Sequence, residues 1–176
     1  VVSSEENIYL GTQGLSSTPG VAAATIDGNG SILQTQQASS GDWWAREGGR
    51  IYVGSDGQSN STVDISNGGT MQALSGNVGD QGDDGSIWIG TAQDSGSTAT
   101  VNVQGSGSTM RADTYIEVGS RVSGNFSGMN VFDGGQVETV KSYISTLNGE
   151  AAVLINGAGS AFASEEIQIG GKTAIA

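Results

Sequence analysis

The residues best suited to chemistry fall in two short stretches. Trp43 and Trp44 lie within Asp42-Trp-Trp-Ala-Arg46-Glu47, with Arg50 just beyond. Exposed tryptophans offer a large contact surface at low entropic cost, so Trp43, Trp44 and Arg46 read as a platform for a sugar ring or a partner surface. The competing reading folds one tryptophan down as the anchor of its own loop. Asp80, Asp83 and Asp84 lie within Gly79-Asp-Gln-Gly-Asp-Asp-Gly85. Ca²⁺ takes about six to eight oxygens, which three carboxylates and loop carbonyls can supply. The competing reading is a solvated acidic loop paired with Arg46 or Arg50. A third group, Tyr9, Tyr52 and Trp88, occupies the same position of a recurring motif. It reads as an external aromatic stripe, either binding a ligand or simply steadying the chain.

Composition excludes several activities. The chain has 176 residues, 30 of them Gly, with one Pro, no Cys and no His. Disulfides, thiolate metal sites and His-based triads are therefore ruled out. The net charge of −12 argues against nucleic-acid binding, which needs a basic footprint. No apolar run approaches the roughly 20 residues of a helical membrane span. Catalysis is not expected. Carbohydrate-active β-helix enzymes use clustered carboxylates with a cation beside them, and the chain has only six Lys and Arg.

Those stretches are positioned by a repeat. Ile8-Tyr-Leu-Gly11, Ile51-Tyr-Val-Gly54, Ile87-Trp-Ile-Gly90, Ile116-Glu-Val-Gly119, Ile144-Ser-Thr146 and Ile167-Gln-Ile-Gly170 align, the fifth being degenerate. Their starts are 43, 36, 29, 28 and 23 residues apart. Alternation of apolar and other residues predicts a short strand. A second alternating segment follows in each of the first five units, around Ile26, Ile65, Val103, Val131 and Ile155. Each runs into a pair of glycines at a corner, and a third short strand follows at Leu33, Met71, Met110, Val137 and Phe162. No stretch shows the period of an amphipathic helix.

Units of this kind predict an all-β fold, a right-handed parallel β-helix (β-solenoid). It has five full coils and part of a sixth, with three short strands per coil. One coil cannot bury its apolar face alone, whereas stacked coils share a core. The aligned first-strand isoleucines, Ile144 included, form one inward column. In the later units Glu117, Ser145 and Gln168 replace the aromatic residue of the stripe. An antiparallel sandwich explains the constant phase of the glycines less well. Residues 1–176 read as one domain, an excerpt or processed part of a longer protein. Its two long insertions, residues 34–50 and 72–86, fall between a third strand and the next first strand. They carry the tryptophans and the aspartates to one edge, where solenoid insertions commonly form a binding face.

The pattern is clearest in Ile51-Tyr-Val-Gly54 through Val63-Asp-Ile-Ser-Asn-Gly-Gly-Thr-Met71, and recurs in Ile87 to Met110 and Ile116 to Val137. It resembles the β-helix repeat shared by type V secretion (autotransporter-type) passengers and PEP-CTERM-associated exported proteins. The resemblance implies an exported protein, extracellular or on the bacterial cell surface, often an adhesive stalk. It departs in the two insertions, the degenerate fifth unit and the lack of a visible barrel or sorting tail. The expected function is a non-catalytic structural or adhesive rod presenting its insertion edge to a surface glycan or protein. The alternatives are a filament subunit that self-associates through open solenoid ends, and a β-helix polysaccharide-active enzyme. No cofactor is required on this reading, Ca²⁺ being the one candidate ion.

Overall fold

The computed structural model describes residues 1–12, 20–36, 49–56, 59–75, 84–91, 96–119, 122–144 and 149–170. Among these, fourteen strands are numbered in chain order and no helix occurs. The second segments of the units are β3 (Gly20–Asp27), β6 (Ser59–Ser66), β9 (Thr98–Gln104), β11 (Phe126–Phe132) and β13 (Glu150–Asn156). The third segments are β4 (Ile32–Gln36) and β7 (Thr70–Leu74), and the first segments are β2 (Ile8–Thr12), β5 (Ile51–Asp56) and β8 (Ile87–Ile89). From the third unit onward, a third segment and the following first segment run as one strand. These are β10 (Thr109–Val118), β12 (Gln136–Ile144) and β14 (Ala161–Ile169). A further strand, β1 (Val2–Ser4), pairs with β4 and supplies a third segment ahead of the first unit.

All pairings are parallel, and each strand meets its equivalent in the neighbouring unit. One sheet runs β13-β11-β9-β6-β3. Its register places Ala24, Val63, Val101, Met129 and Val153 in one column and Ile26, Ile65, Val103, Val131 and Ile155 in the next. The second sheet has nine strands and is forked, because two ladders of short strands merge at β10. One ladder aligns Val2, Leu33, Met71, Met110, Val137 and Phe162. The result is an all-β, nearly closed, solenoid-like stack of parallel strands.

The first-segment ladder departs from expectation at the fifth unit. Ile8, Ile51, Ile87 and Ile116 are followed by Ser142, not Ile144, and then by Ile167. Ile144 joins the neighbouring column with Val53, Ile89, Val118 and Ile169. A shift of two residues keeps every side chain on its face, so alternation alone does not reveal it. Ser142 is buried, and its Oγ donates to Ser164 Oγ at 2.9 Å. The insertions also begin later than expected. Gln34–Gln36 and Gln72–Leu74 are paired strand residues, joined on their outer side by a Gln72 Nε2 to Gln34 Oε1 bond of 2.8 Å.

The core sits between the two sheets in the second to fourth units, where Val63, Ile65, Met71, Ile87, Ile89, Val101, Met110, Ile116 and Met129 are fully buried. Towards the ends of the stack burial falls: Ile8 and Leu33 of the first unit and Val153 and Phe162 of the fifth are only partly buried, and Ile155, which the alternation turns inward, is 46% exposed. Small inward residues are needed where the first segment turns into the second. A β-carbon on Gly90, whose φ is +81°, would collide with the Ser127 hydroxyl of the next unit.

The corners between second and third segments are of two lengths. Four residues close the first, third and fifth units: 28–31, 105–108 and 157–160, each reading Gly-x-Gly-Ser. Three residues close the second and fourth: 67–69 and 133–135, each reading Asx-Gly-Gly. The short corners open on a left-handed non-glycine residue, Asn67 at φ 51° and Asp133 at φ 49°. They tuck closely under the preceding unit, and a β-carbon on Gly69 would sit inside the Ile26 carbonyl oxygen.

Candidate functional site

The site is built at the junction of third and first segments. In β10 the chain crosses this junction with a bulge between Ala112 and Tyr115, where Asp113 and Thr114 break the register with β12. In the first two units the same point is opened by the insertions. Both therefore leave the stack at equivalent positions of adjacent units. Residues 37–48 and 76–83 lie outside the described residues, and with them Trp43, Trp44, Arg46, Asp80 and Asp83. The feet of the two insertions are described, and they touch. Gly85 N donates to Gly49 O at 3.1 Å, and Thr114 N donates to Gly85 O at 3.0 Å. Ser75 N donates to Asp113 Oδ2 at 3.2 Å, and Asp113 in turn pairs with Arg111 at 3.0 Å.

Asp84 is 4% exposed, and its Oδ1 lies 3.7 Å from Arg50 Nη2. Its backbone carbonyl also accepts from Thr114 Oγ1. The contact brings together two residues 34 positions apart and ties the second insertion to the first. Among the described residues no group of three His, Cys, Asp or Glu side chains is placed to hold a metal ion. A carboxylate engaged by a guanidinium is a weaker cation ligand than a free one, and Asp84 is so engaged.

Beside these feet runs an aromatic ladder. Tyr9, Tyr52, Trp88, Glu117, Tyr143 and Gln168 are register partners on the outer face of the forked sheet. Tyr143, not Ser145, holds the fifth position. Tyr9 and Tyr52 stack with centroids 4.9 Å apart and planes 5° from parallel. Tyr52 and Trp88 are 5.9 Å apart and tilted by 34°. At the fourth unit Glu117 takes the aromatic position, and the ladder steps sideways to Tyr115. Tyr115 meets Trp88 edge-on at 5.5 Å and Tyr143 edge-on at the same distance.

The polar tips of the rings are met by the residue just ahead of each strand. Asn7 Nδ2 donates to Tyr9 OH at 3.4 Å, Arg50 Nη1 to Tyr52 OH at 3.4 Å, and Trp88 Nε1 to Ser86 Oγ at 2.9 Å. Tyr52 has Tyr9 against one face and Trp88 over the other. Its faces are used inside the ladder, and it turns an edge outward. Tyr9 is 51% exposed whereas Tyr115 is only 8% exposed, so open aromatic surface is concentrated at the Tyr9 end.

The repeat places Tyr9, Tyr52 and Trp88 in this column, and the ladder contains all three. Tyr115 and Tyr143 were missed. Tyr143 was hidden by the two-residue misalignment of the fifth unit. Tyr115 lies two residues before Glu117 on the same outer face, just ahead of the stretch that the motif alignment covers. The other polar features of the surface are ladders of their own. Asn102 Nδ2 donates to Asp64 Oδ1 at 2.7 Å, and Asn130 Nδ2 donates to Asn102 Oδ1 at 2.8 Å. At the first corner, Ser66 Oγ and Asn67 Nδ2 donate to Asp27 Oδ1, which lowers the pKa of Asp27 against a small opposing effect of burial. Fold and site together describe a parallel-stranded repeat scaffold with an aromatic outer stripe and two insertions at one edge. No known protein family, curated protein or solved structure matches the chain.

Proposed function

We propose that this protein is a non-catalytic, exported β-helix that displays its insertion edge to a surface glycan or protein. The finer architecture belongs to this proposal: a right-handed helix of five coils and part of a sixth. Its hand follows the strong preference for right-handed parallel crossovers. The observation that carries the functional reading is the common origin of the two insertions. They leave equivalent points of adjacent units, and their feet are joined by the Arg50–Asp84 contact and the Gly49–Gly85 hydrogen bond. On this reading the two insertions contribute to one surface, Trp43, Trp44 and Arg46 from the first and Asp80 and Asp83 from the second.

The absence of His and Cys supports a binding role over a catalytic one. Export to the bacterial cell surface rests on the repeat's resemblance to secreted passengers. The aromatic ladder takes the supporting part in this reading, because its inner rings stack on one another and leave most open area at Tyr9.

The test is binding of the purified protein to arrayed neutral and acidic polysaccharides, with a Trp43→Ala/Trp44→Ala double variant beside the parent. A loss of about tenfold or more with an unchanged melting temperature supports the display edge. Binding that survives the double variant but disappears in Tyr9→Ala moves the site to the ladder and overturns it. Thermal melts with added Ca²⁺ and with chelator test the ion: a melting temperature indifferent to both removes Ca²⁺ from the proposal.

A further inference from the structure

The corners described above do more than turn the chain, because each class makes a different junction with its neighbour. Where a short corner follows a long one, the long corner's first glycine N–H is met by a backbone carbonyl. Gly28 N donates to Ser66 O and Gly105 N to Phe132 O, both at 3.1 Å. Side chains reinforce the junction: Ser66 and Asn67 bond Asp27 at 2.6 and 2.7 Å, and Gln104 Nε2 bonds Asp133 Oδ2 at 3.4 Å. Gly69 and Gly135 close it, each pressed against a carbonyl of the preceding unit, Ile26 and Val103.

Where a long corner follows a short one, a backbone bond of the same kind recurs at one junction, Asp133 N to Asn156 O at 3.2 Å, and a side-chain bond that the other junctions lack is added. The serine that ends the long corner reaches back to the short one. Gly68 N donates to Ser108 Oγ and Gly134 N to Ser160 Oγ, both at 3.1 Å. The same hydroxyls donate to the carbonyls four residues earlier, at the ends of the strands leading into their own corners, Gln104 and Asn156, at 2.7 Å. Each serine therefore both closes its own loop and holds its neighbour. The N–H it accepts comes from a left-handed turn, Asn67-Gly68 or Asp133-Gly134. The matching residues of long corners, Ser106 and Ala158, have ordinary negative φ, so their N–H groups are not presented in the same way. Two long corners in succession would leave the second serine without its donor. Two short ones would leave Gly68 N or Gly134 N without its acceptor.

We infer that the building block of this protein is a pair of units, a short corner followed by a long one, and that corner class decides which unit can stack on which. The strict order long, short, long, short, long over five units is then a selection rule, not a run of interchangeable turns. Lengthening or shortening the stack keeps its junctions only in steps of two.

Three deletions in the full chain test this. Removing residues 90–118 brings short onto short, and removing 119–144 brings long onto long. Removing 90–144 takes out two units but keeps a long corner on a short one. We expect the two-unit deletion to fold, unfold in one cooperative step and melt above both single-unit deletions, although it is the smallest protein of the three. Failure of the two-unit deletion to fold overturns the inference, as does a single-unit deletion that melts at or above it. Point variants give an independent reading. Ser108→Ala and Ser160→Ala should each lower the melting temperature more than Ser31→Ala. Ser31 closes its own corner at 2.6 Å onto Asp27 O, and among the described residues its hydroxyl accepts no N–H from another corner. Equal effects at all three serines would also overturn it.

Discussion

Asp27 shows how a corner residue writes itself into the acid stability of the protein. Its carboxylate accepts from Ser66 and Asn67, which favours the charged form and lowers its pKa in the folded state. A depressed folded pKa contributes stability that is present above the unfolded value, about 3.9, and is lost as pH falls through the folded value. The Asp27 resonance should therefore titrate with a midpoint below that of an unfolded aspartate. The stability difference between the parent and Asp27→Ala should shrink as denaturation curves are taken from neutral pH to below the folded pKa. A difference that stays constant across that window would show that the carboxylate charge is not what the bonds to Ser66 and Asn67 stabilise. Neither the bonds nor the partners could be read from the sequence. Asp27 and Ser66 are 39 positions apart, and only the stacked register makes them neighbours.

At the scale of elements, the aromatic ladder and the insertions make separate demands. Tyr52 and Trp88 lie on β5 and β8, and their rings join those strands across the outer face. An aromatic pair contributes roughly 0.5–1.5 kcal/mol beyond its buried area, so a Tyr52→Ala, Trp88→Ala double-mutant cycle in urea should show a coupling of about that size. A coupling near zero would make the ladder incidental. The insertions, by contrast, should be dispensable for folding, because β10 crosses the same junction with only Asp113 and Thr114 to spare. Replacing residues 36–49 with Asp-Thr should leave the far-UV spectrum and the melting temperature close to the parent values while abolishing glycan or partner binding. A large fall in melting temperature would mean that the loop is part of the scaffold. The place of the insertions was legible from unit spacing alone. Their first residues were not, since Gln34 and Gln72 look like loop residues and are paired strand residues joined by a side-chain bond.

For the whole molecule, stability is concentrated in the middle of the stack. Met110 is fully buried between Met71 and Val137, whereas its equivalent in the fifth unit, Phe162, is only partly buried. Truncating a buried Met or Phe to Ala costs about 2–5 kcal/mol, and the cost grows with the cavity left behind. Met110→Ala should therefore sit in the upper part of that range and Phe162→Ala near or below its lower end, although Phe is the larger side chain. The reverse order in denaturant melts would place the centre of the core elsewhere. A stack of this kind joins each unit only to its neighbours, so damage at the fourth unit should also loosen the fifth.

The sequence by itself determined that strands are short, alternate and recur, and it assigned the inward columns of Ile26 and Leu33 through all five units. These follow from a period of two and from glycines at fixed phase, both of which are local properties. The tertiary structure alone decided that Ser142 and not Ile144 continues the Ile116 column, since a two-residue shift leaves the pattern of faces unchanged. It alone brought the Tyr115 ring against Trp88, and Asp84 to Arg50 across the feet of two loops. The two classes of corner stand in between. Gly-x-Gly-Ser and Asx-Gly-Gly are plainly different strings. That the difference matters emerges only when Ser108 is seen holding the N–H of Gly68 one unit away, because that bond belongs to the stacking of units and not to either corner alone.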